Sequence, residues 1–379
     1  MTTALRLPDP REVLDEATAA RAFSDILDLR VSDEEIAAFL IALSERGETS
    51  LEIAAAAREL RARMIPIQAP PGTIDVCGTG GDGHHSLNVS TAVAIIVAAC
   101  GVPVAKHGNR AASSKAGAAD TLEALGLDMA RAGETAEATL NELGICFLFA
   151  TTHHPAMKRI QPIRKAIGKR TIFNLIGPLA NPARVSRQLI GIARPDYVPI
   201  YGKALQSLGA DAAMIVSGEE GLDELSGAGP SRIFNIGDLP VGDTVTPGDA
   251  GLPTAPTSAI RGGDAAFNAA ALRRLLQGEA GPYRDAVLLK VLGATRLDVL
   301  RLYVVEYALV GLVAAAVATG LGWISAWLVV TKVMASDWID LPLTLALTAL
   351  GGVVVTVALG LAGTWRALSV PPARVLRQL

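Results

Sequence analysis

Two runs near the C-terminal end, Tyr307 to Thr331 and Leu341 to Trp365, carry no charged residue. Each is about 25 residues long, enough helix at 1.5 Å per residue to cross a hydrocarbon layer of about 30 Å. A pair of fully buried core helices is the alternative, but soluble helices of that length generally keep one polar face. The charges around the runs fit a hairpin with both ends on the cytoplasmic side. Arg296 and Arg301 precede the first run, Arg366, Arg374 and Arg377 follow the second, and the connection holds Asp337 and Asp340 with only Lys332.

The rest of the chain reads as a soluble enzyme. Its 379 residues leave room for two or three domains, and 34 basic against 37 acidic residues give a formal net charge of -3, without the basic excess that nucleic acid requires. Nucleic acid is therefore not an expected partner. Cys77, Cys100 and Cys146 are odd in number and widely spaced, which argues against a disulfide framework or a zinc site and for a reducing cytosol. The opening "MTTALRLPDPREVLDEATAARAF" has no leader character, so the N-terminal part is expected in the cytoplasm.

From Arg21 to Met64 the pattern is helical. Ser32 with Glu35 has the spacing of a capping box, Ile36, Phe39, Leu40 and Leu43 share a face, and Thr49 with Glu52 opens the next helix. The prolines of "PIQAPPG" end this region. Strand-like runs then alternate with helical ones, as in an α/β layer; Val102 to Ala105 and Ala213 to Val216 are examples. Asp238 to Gly263 reads as loop or exposed edge, after which helix periodicity resumes.

"CGTGGDGHHSLNVST", Cys77 to Thr91, places glycines after a strand and Ser90 and Thr91 at the start of a helix expected near Ala92. Converging backbone N–H groups and hydroxyls at a helix N-terminus make a phosphate cradle. Gly78, Gly80 and Gly83 match GxGxxG, but "HHSLNVS" separates them from the helix and the next strand leads to Lys106 rather than to an acidic residue, so a dinucleotide fold fits poorly. A plain tight turn is the other alternative. "VAKHGNRAASSKAG", Val104 to Gly117, is a second glycine- and serine-rich loop, with Lys106, Arg110 and Lys115. Two such loops suit a substrate with phosphates at both ends.

These loops, "HHPAMKRIQPIRKAIGKRTIFNLIGPLANPA" (His153 to Ala183) and "GLDELS" (Gly221 to Ser226) resemble those of anthranilate phosphoribosyltransferases, from about Asp25 to Leu289. The resemblance implies an α/β fold of the nucleoside phosphorylase-like type with an N-terminal all-helical domain, a substrate pair of anthranilate and phosphoribosyl pyrophosphate, Mg2+ as cofactor, and a possible homodimer. Carried to matching positions, Gly78, Gly81, Asp82, Ser86, Asn88, Val89, Ser90 and Thr91 are expected around phosphoribosyl pyrophosphate. So are Lys106, His107, Gly108, Asn109, Arg110, Ala111, Ala112, Ser113, Ser114 and Ala118. Ser90, Asp223 and Glu224 would hold the metal, and Asn109 and Arg164 would meet anthranilate. Without that context Asp223 and Glu224 would read as a solvated acidic loop and Arg164 as a surface charge. Ser86 and Ala118 stand where the family usually has Thr and Ser, so one hydroxyl is kept and one lost. No residue is expected to act as a strong base, because an aromatic amine attacks without prior deprotonation. The pairs His84 and His85, and His153 and His154, are not read as metal sites, since neither has a third ligand at a recognised spacing.

Past Leu289 the alanine-rich helices that end such enzymes are missing. "LKVLGATRLDVLRLYVVEYALVG" and "GTWRALSVPPARVLRQL" instead resemble the last part of FtsX-like ABC-transporter permeases. The expected organisation is a helical domain at 1–68, with part of 155–190 packed on it, and a C-terminally truncated α/β domain at 69–289. A cytoplasmic elbow at 290–302, two transmembrane helices at 303–366 and a cytoplasmic tail at 367–379 follow. The chain would be a membrane protein of two spans with its enzyme domain in the cytoplasm. Three readings stay open: a membrane-tethered transferase, a permease fragment carrying an inactive transferase remnant, and a seam between two coding sequences. No GxxxxGK[ST] loop supplies an ATPase within the chain.

Overall fold

Five short strands build the central layer, all but the third ending in glycine: β1 (Ile74–Gly78), β2 (Val104–Gly108), β3 (Ile145–Phe149), β4 (Arg187–Gly191) and β5 (Ala212–Gly218). The computed structural model describes residues 6–111, 114–292, 312, 315, 318–335 and 342–369. These five strands run parallel, and β6 (Ser231–Ile236) and β7 (Thr244–Val245) add an antiparallel edge, giving the order β3-β2-β1-β4-β5-β6-β7. The chain leaves β1 toward β2 on one side and returns to β4 on the other. The crevice at the C-terminal ends of β1 and β4 is thus a topological switch point, where open α/β sheets bind ligands.

Alternation along β1 divides the core. Val76 faces a cluster with Val89, Val93, Leu272, Leu275 and Val287, whereas Cys77 faces a larger cluster shared with the helical region. The helical region is α1 (Glu16–Leu27), α2 (Asp33–Arg46) and α3 (Ser50–Ala62). Phe23, Ile26, Ile36, Leu40, Leu43 and Ile53 are fully buried there. Thr49 and Glu52 form the expected capping box at α3. Ser32 caps α2 through the Glu35 N–H at 3.2 Å, but the Glu35 carboxylate accepts from the Leu7 N–H instead of closing a box.

On the Val76 side lies α4 (Val89–Ala99), which starts at Val89 rather than near Ala92. Beyond β2 come α5 (Ala118–Ala124), α6 (Met129–Glu134) and α7 (Ala136–Leu143). After β3, α8 (Ala150–His153) leads into α9 (Pro155–Ile167), which packs on α1 and α2, so this later segment completes the helical layer. α10 (Val198–Ser207) packs on α3 and on β5 and β6. The Asp238 to Gly263 segment is both loop and sheet edge: it contains the edge strand β7 and 3-10 turns at Pro247–Ala250 and Thr257–Ile260. α11 (Ala265–Leu276) packs on α5, and α12 (Pro282–Leu292) packs on α4 with Val287 fully buried.

Contacts divide the chain into two compact units, Met1–Gly293 and Ala294–Leu379. In the second, 318–328 is helical and runs into a π-helical turn at Val329–Val333, and Pro342–Ser369 is helical. The side chains of that last helix are described only within 342–358. Among the described residues no helix is long and apolar enough to cross a membrane. Most of the expected elbow, the start of the first span and nearly all of the tail lie outside the described residues.

Candidate active site

The turn after β1 and the loop after β5 meet at the switch point. Gly80, Gly81 and Gly83 have positive φ, which lets the chain reverse tightly enough to aim the Gly80 N–H at Asp223 Oδ2, 2.7 Å away. A Cβ at Gly191, the last residue of β4, would lie 1.7 Å from the Asp223 carbonyl oxygen, and one at Gly78 would lie 2.5 Å from Asp223 Oδ2. The acidic loop can sit on the strand ends only because both positions lack a side chain. Ser90, in the first turn of α4, donates its hydroxyl to Glu224 Oε1 at 2.8 Å. The three residues expected to hold a metal are therefore brought to one place, with Asp223 and Glu224 both buried.

Among the described residues no three His, Cys, Asp or Glu side chains cluster as a metal site. Two carboxylates and a hydroxyl nevertheless fit Mg2+, which keeps several waters and binds through one or two carboxylates together with substrate phosphates. A soft or tetrahedral metal would need nitrogen or sulfur donors that this corner lacks.

The remaining turn residues are held locally. Asp82 Oδ1 accepts from the His84 N–H at 3.1 Å, while its buried Oδ2 has no partner among the described residues. Ser86 pairs with Arg261 in an isolated antiparallel bridge. Asn88 precedes α4 but does not cap it: its Oδ1 accepts from Thr121 Oγ1 at 2.6 Å and Asn268 Nδ2 at 3.1 Å. Val89 and Thr91 are buried. The Arg170 guanidinium donates to the Gly80 carbonyl at 3.0 Å and lies over Gly81, a contact that spacing alone did not reveal.

In the second loop the cations Lys106 and Arg110 have partners within the fold. Lys106 is buried and its Nζ donates to the Val76 carbonyl at 2.8 Å, so it points into the sheet near Asp75. Burial raises the Asp75 carboxyl above its usual range against the pull of Lys106 and the Asn181 amide. Arg110 pairs with Asp120 at 2.9 Å and Glu123 at 2.7 Å and lies over the Phe149 ring. Gly108 abuts Phe147, Asn109 is exposed with its Oδ1 accepting from the Arg110 N–H, and Ala111 donates its N–H to Asp120. Ser114 Oγ bonds the Ala116 carbonyl at 3.4 Å, and Ala118 opens α5. Ala112 and Ser113 lie outside the described residues.

His107 Nε2 is 3.3 Å from His154 Nε2, and His107 Nδ1 is 3.1 Å from the Gly177 carbonyl. Burial pushes both imidazoles toward neutrality, His107 well below its ordinary value and His154 to about 4, with mutual repulsion adding to the effect on His107. His153 ends α8 and His154 directly precedes α9. Arg164, in the last turn of α9, lies over the Phe173 ring at 5.9 Å, and burial lowers its pKa. No hydrogen bond joins Arg164 to Asn109 among the described residues.

The fold agrees with what the chain is similar to. Its residues 70–299 match the glycosyl transferase family a/b domain and residues 9–64 that family's helical bundle domain. Residues 283–372 match the FtsX-like permease C-terminal family, overlapping the first match. Anthranilate phosphoribosyltransferase of Novosphingobium aromaticivorans is 67% identical over 289 residues, covering 76% of this chain and 88% of that protein. The enzyme of Parvibaculum lavamentivorans is 48% identical over 295 residues, covering 77% and 86%. Among solved structures, anthranilate phosphoribosyltransferase from Thermus thermophilus superposes with a TM-score of 0.70 at 43% identity, covering 76% of this chain and 88% of that one. The Saccharomyces cerevisiae enzyme in complex with PRPP and Mg gives a TM-score of 0.67 at 28% identity, covering 73% and 82%.

Proposed function

The chain belongs to the anthranilate phosphoribosyltransferase family, and from that membership we infer that it is a pentosyltransferase of tryptophan biosynthesis. It transfers the phosphoribosyl group of phosphoribosyl pyrophosphate to the anthranilate amino group, giving N-(5-phosphoribosyl)anthranilate and pyrophosphate, with Mg2+ as cofactor.

The observation that carries this reading is the seating of the acidic loop on the glycine turn, Asp223 on Gly80 and Glu224 on Ser90. Breaking the bond from ribose C1 to pyrophosphate develops positive charge on the sugar and negative charge on the leaving group, so fixed donors and charges around the pyrophosphate are the main need. Ser90, Asp223 and Glu224 would hold Mg2+, which when bound neutralises charge on the departing pyrophosphate. Gly78, Gly81, Asp82, Ser86 and Asn88 to Thr91 are assigned to the surroundings of that group, with the N-terminus of α4 favouring an anion. The second loop, Lys106 to Ser114 with Ala118, is assigned to the rest of phosphoribosyl pyrophosphate. Arg164 and Asn109 are assigned to anthranilate, whose carboxylate suits a planar guanidinium. His107 and His154 are not assigned as charges, since burial lowers the pKa of both and the two ring nitrogens of His107 already face the Gly177 carbonyl and His154.

The match to FtsX-like permeases over 283–372 supports the further reading that this transferase is fused to a permease fragment and membrane-attached. Large apolar side chains on the second unit point the same way: Leu321, Trp327, Leu343, Leu347 and Val354 are exposed. On this reading the elbow lies at 290–302, the spans within 303–366 and the tail at 367–379, with the enzyme on the cytoplasmic face; homodimerisation is carried by the resemblance alone. An inactive remnant on a permease fragment is the competing identity. Calorimetric titration of the purified full chain with phosphoribosyl pyrophosphate and Mg2+, followed by an assay of pyrophosphate release on adding anthranilate, separates the two. Binding with turnover is expected, and absence of both would overturn the transferase reading.

A further inference from the structure

The last helix before the permease-like segment, α12, reaches the diphosphate corner. Tyr283 donates its hydroxyl to the Asn88 backbone carbonyl at 3.2 Å. That carbonyl also accepts from the Thr91 and Ala92 N–H groups, both at 3.1 Å, and so is the first acceptor of α4. The Asn88 side chain is fastened independently, by Thr121 from α5 and Asn268 from α11. Asn268 is itself buried and fixed by the Gly263 N–H, which donates to its Oδ1 at 2.8 Å. Three elements from distant parts of the sequence thus converge on the one residue that sets where α4 begins. Ser90, two residues on, is the residue that meets Glu224.

We propose that Tyr283 is a positioning residue for the diphosphate and cation site, acting through the Asn88 carbonyl to hold the first turn of α4 against the Glu224 loop. The inference rests on the transferase reading and adds to it a role for the helix at which the two family matches overlap. An asparagine at a helix start ordinarily spends its side chain on the first free N–H groups. Here the side chain is drawn away by Thr121 and Asn268, and the helix entry is fixed from outside, which keeps the capping atoms out of the space where an anion would sit. Burial, with the nearby Glu224 carboxylate, raises the Tyr283 pKa, so the hydroxyl stays a neutral donor at physiological pH. Val287, one turn along the same helix, is fully buried in the core cluster against which Tyr283 also packs, but it carries no polar group to bond Asn88.

The test is calorimetric titration of the full chain with phosphoribosyl pyrophosphate at fixed Mg2+, in parallel with thermal unfolding, for Tyr283→Phe, Thr121→Val and Val287→Ala. Tyr283→Phe keeps the ring and loses one neutral hydrogen bond, and is expected to weaken binding by roughly three- to tenfold with little change in Tm. Thr121→Val, on another helix but on the same asparagine, is expected to weaken it in the same way. Val287→Ala is expected to lower Tm clearly while leaving affinity near that of the parent. Unchanged affinity in both Tyr283→Phe and Thr121→Val, or an equal loss in Val287→Ala, would overturn the proposal and reduce α12 to packing. A parent chain that binds no phosphoribosyl pyrophosphate would overturn the transferase reading first, and this role with it.

Discussion

The Ser90 hydroxyl donates to Glu224 Oε1 at 2.8 Å, joining the first turn of α4 to the loop after β5 across 134 residues of chain. Glu224 therefore has two demands on it, the serine and the cation assigned to the site. Glu224→Gln keeps an acceptor for Ser90 and removes the charge. It is expected to fold with an unchanged Tm and to lose about a hundredfold in Mg2+-dependent turnover. Replacing Asp223 and Glu224 together by alanine should abolish that turnover, and retained activity in the double variant would sink the metal assignment.

Gly191 offers a test of the seating of that loop. An added Cβ would fall 1.7 Å from the Asp223 carbonyl oxygen, a backbone atom that no rotamer change can move aside. Gly191→Ala is expected to cost about 1 to 3 kcal/mol in denaturant unfolding and to weaken phosphoribosyl pyrophosphate binding with it. Gly177→Ala, where a Cβ meets nothing within 4 Å, serves as the tolerated control. Equal stability of the two variants would show that the loop has another place to go.

What could be read beforehand was local. The Thr49 cap, the buried face of α2 and the strands before the two glycine-rich loops follow from spacing over a few residues. The glycine turn and the acidic loop were legible as motifs, and they do meet. Period and composition say which face is buried, not which distant polar group waits there. Nothing marked Tyr283, Asn268 or Thr121 as partners of Asn88, because the contacts span between 33 and 195 residues. Nor does spacing show that the Lys106 side chain is buried with its ammonium on the neighbouring strand. Glu35 had the spacing of a capping box and was taken by the Leu7 N–H instead.

The paired imidazoles make stability pH-dependent. His154 titrates at about 4 in the fold against an ordinary value of 6.5, and His107 is lowered as well. Between those values the unfolded chain binds more protons than the folded one, so this contribution is complete above about pH 6.5 and is lost as pH falls toward 4. The loss from His154 is on the order of 3 kcal/mol. Tm measured from pH 7 to pH 4.5 should fall more steeply for the parent than for His154→Gln, and parallel curves would mean that the pair does not control the acid limb.

The end of the transferase part decides how well the fold holds. α12 is the last described element of the first unit, and Val287 buries fully in the cluster under α4. Related enzymes extend beyond the matched region, with 88% of the Novosphingobium enzyme covered. On the proposed reading that the transferase part is truncated, helices covering about 400 Å² of apolar surface would be lost, which removes about 10 kcal/mol at about 25 cal/mol per Å², of the order of a domain's whole net stability. The full chain is therefore expected to unfold at lower denaturant and to turn over more slowly than the Novosphingobium enzyme measured beside it. The exposed apolar side chains of the second unit, Leu343 and Leu347 among them, would in turn be covered by lipid. Membrane association that resists carbonate is the expected result on fractionation. Recovery in the soluble fraction, together with unfolding and turnover equal to those of the Novosphingobium enzyme, would mean that the fusion neither truncates nor tethers it.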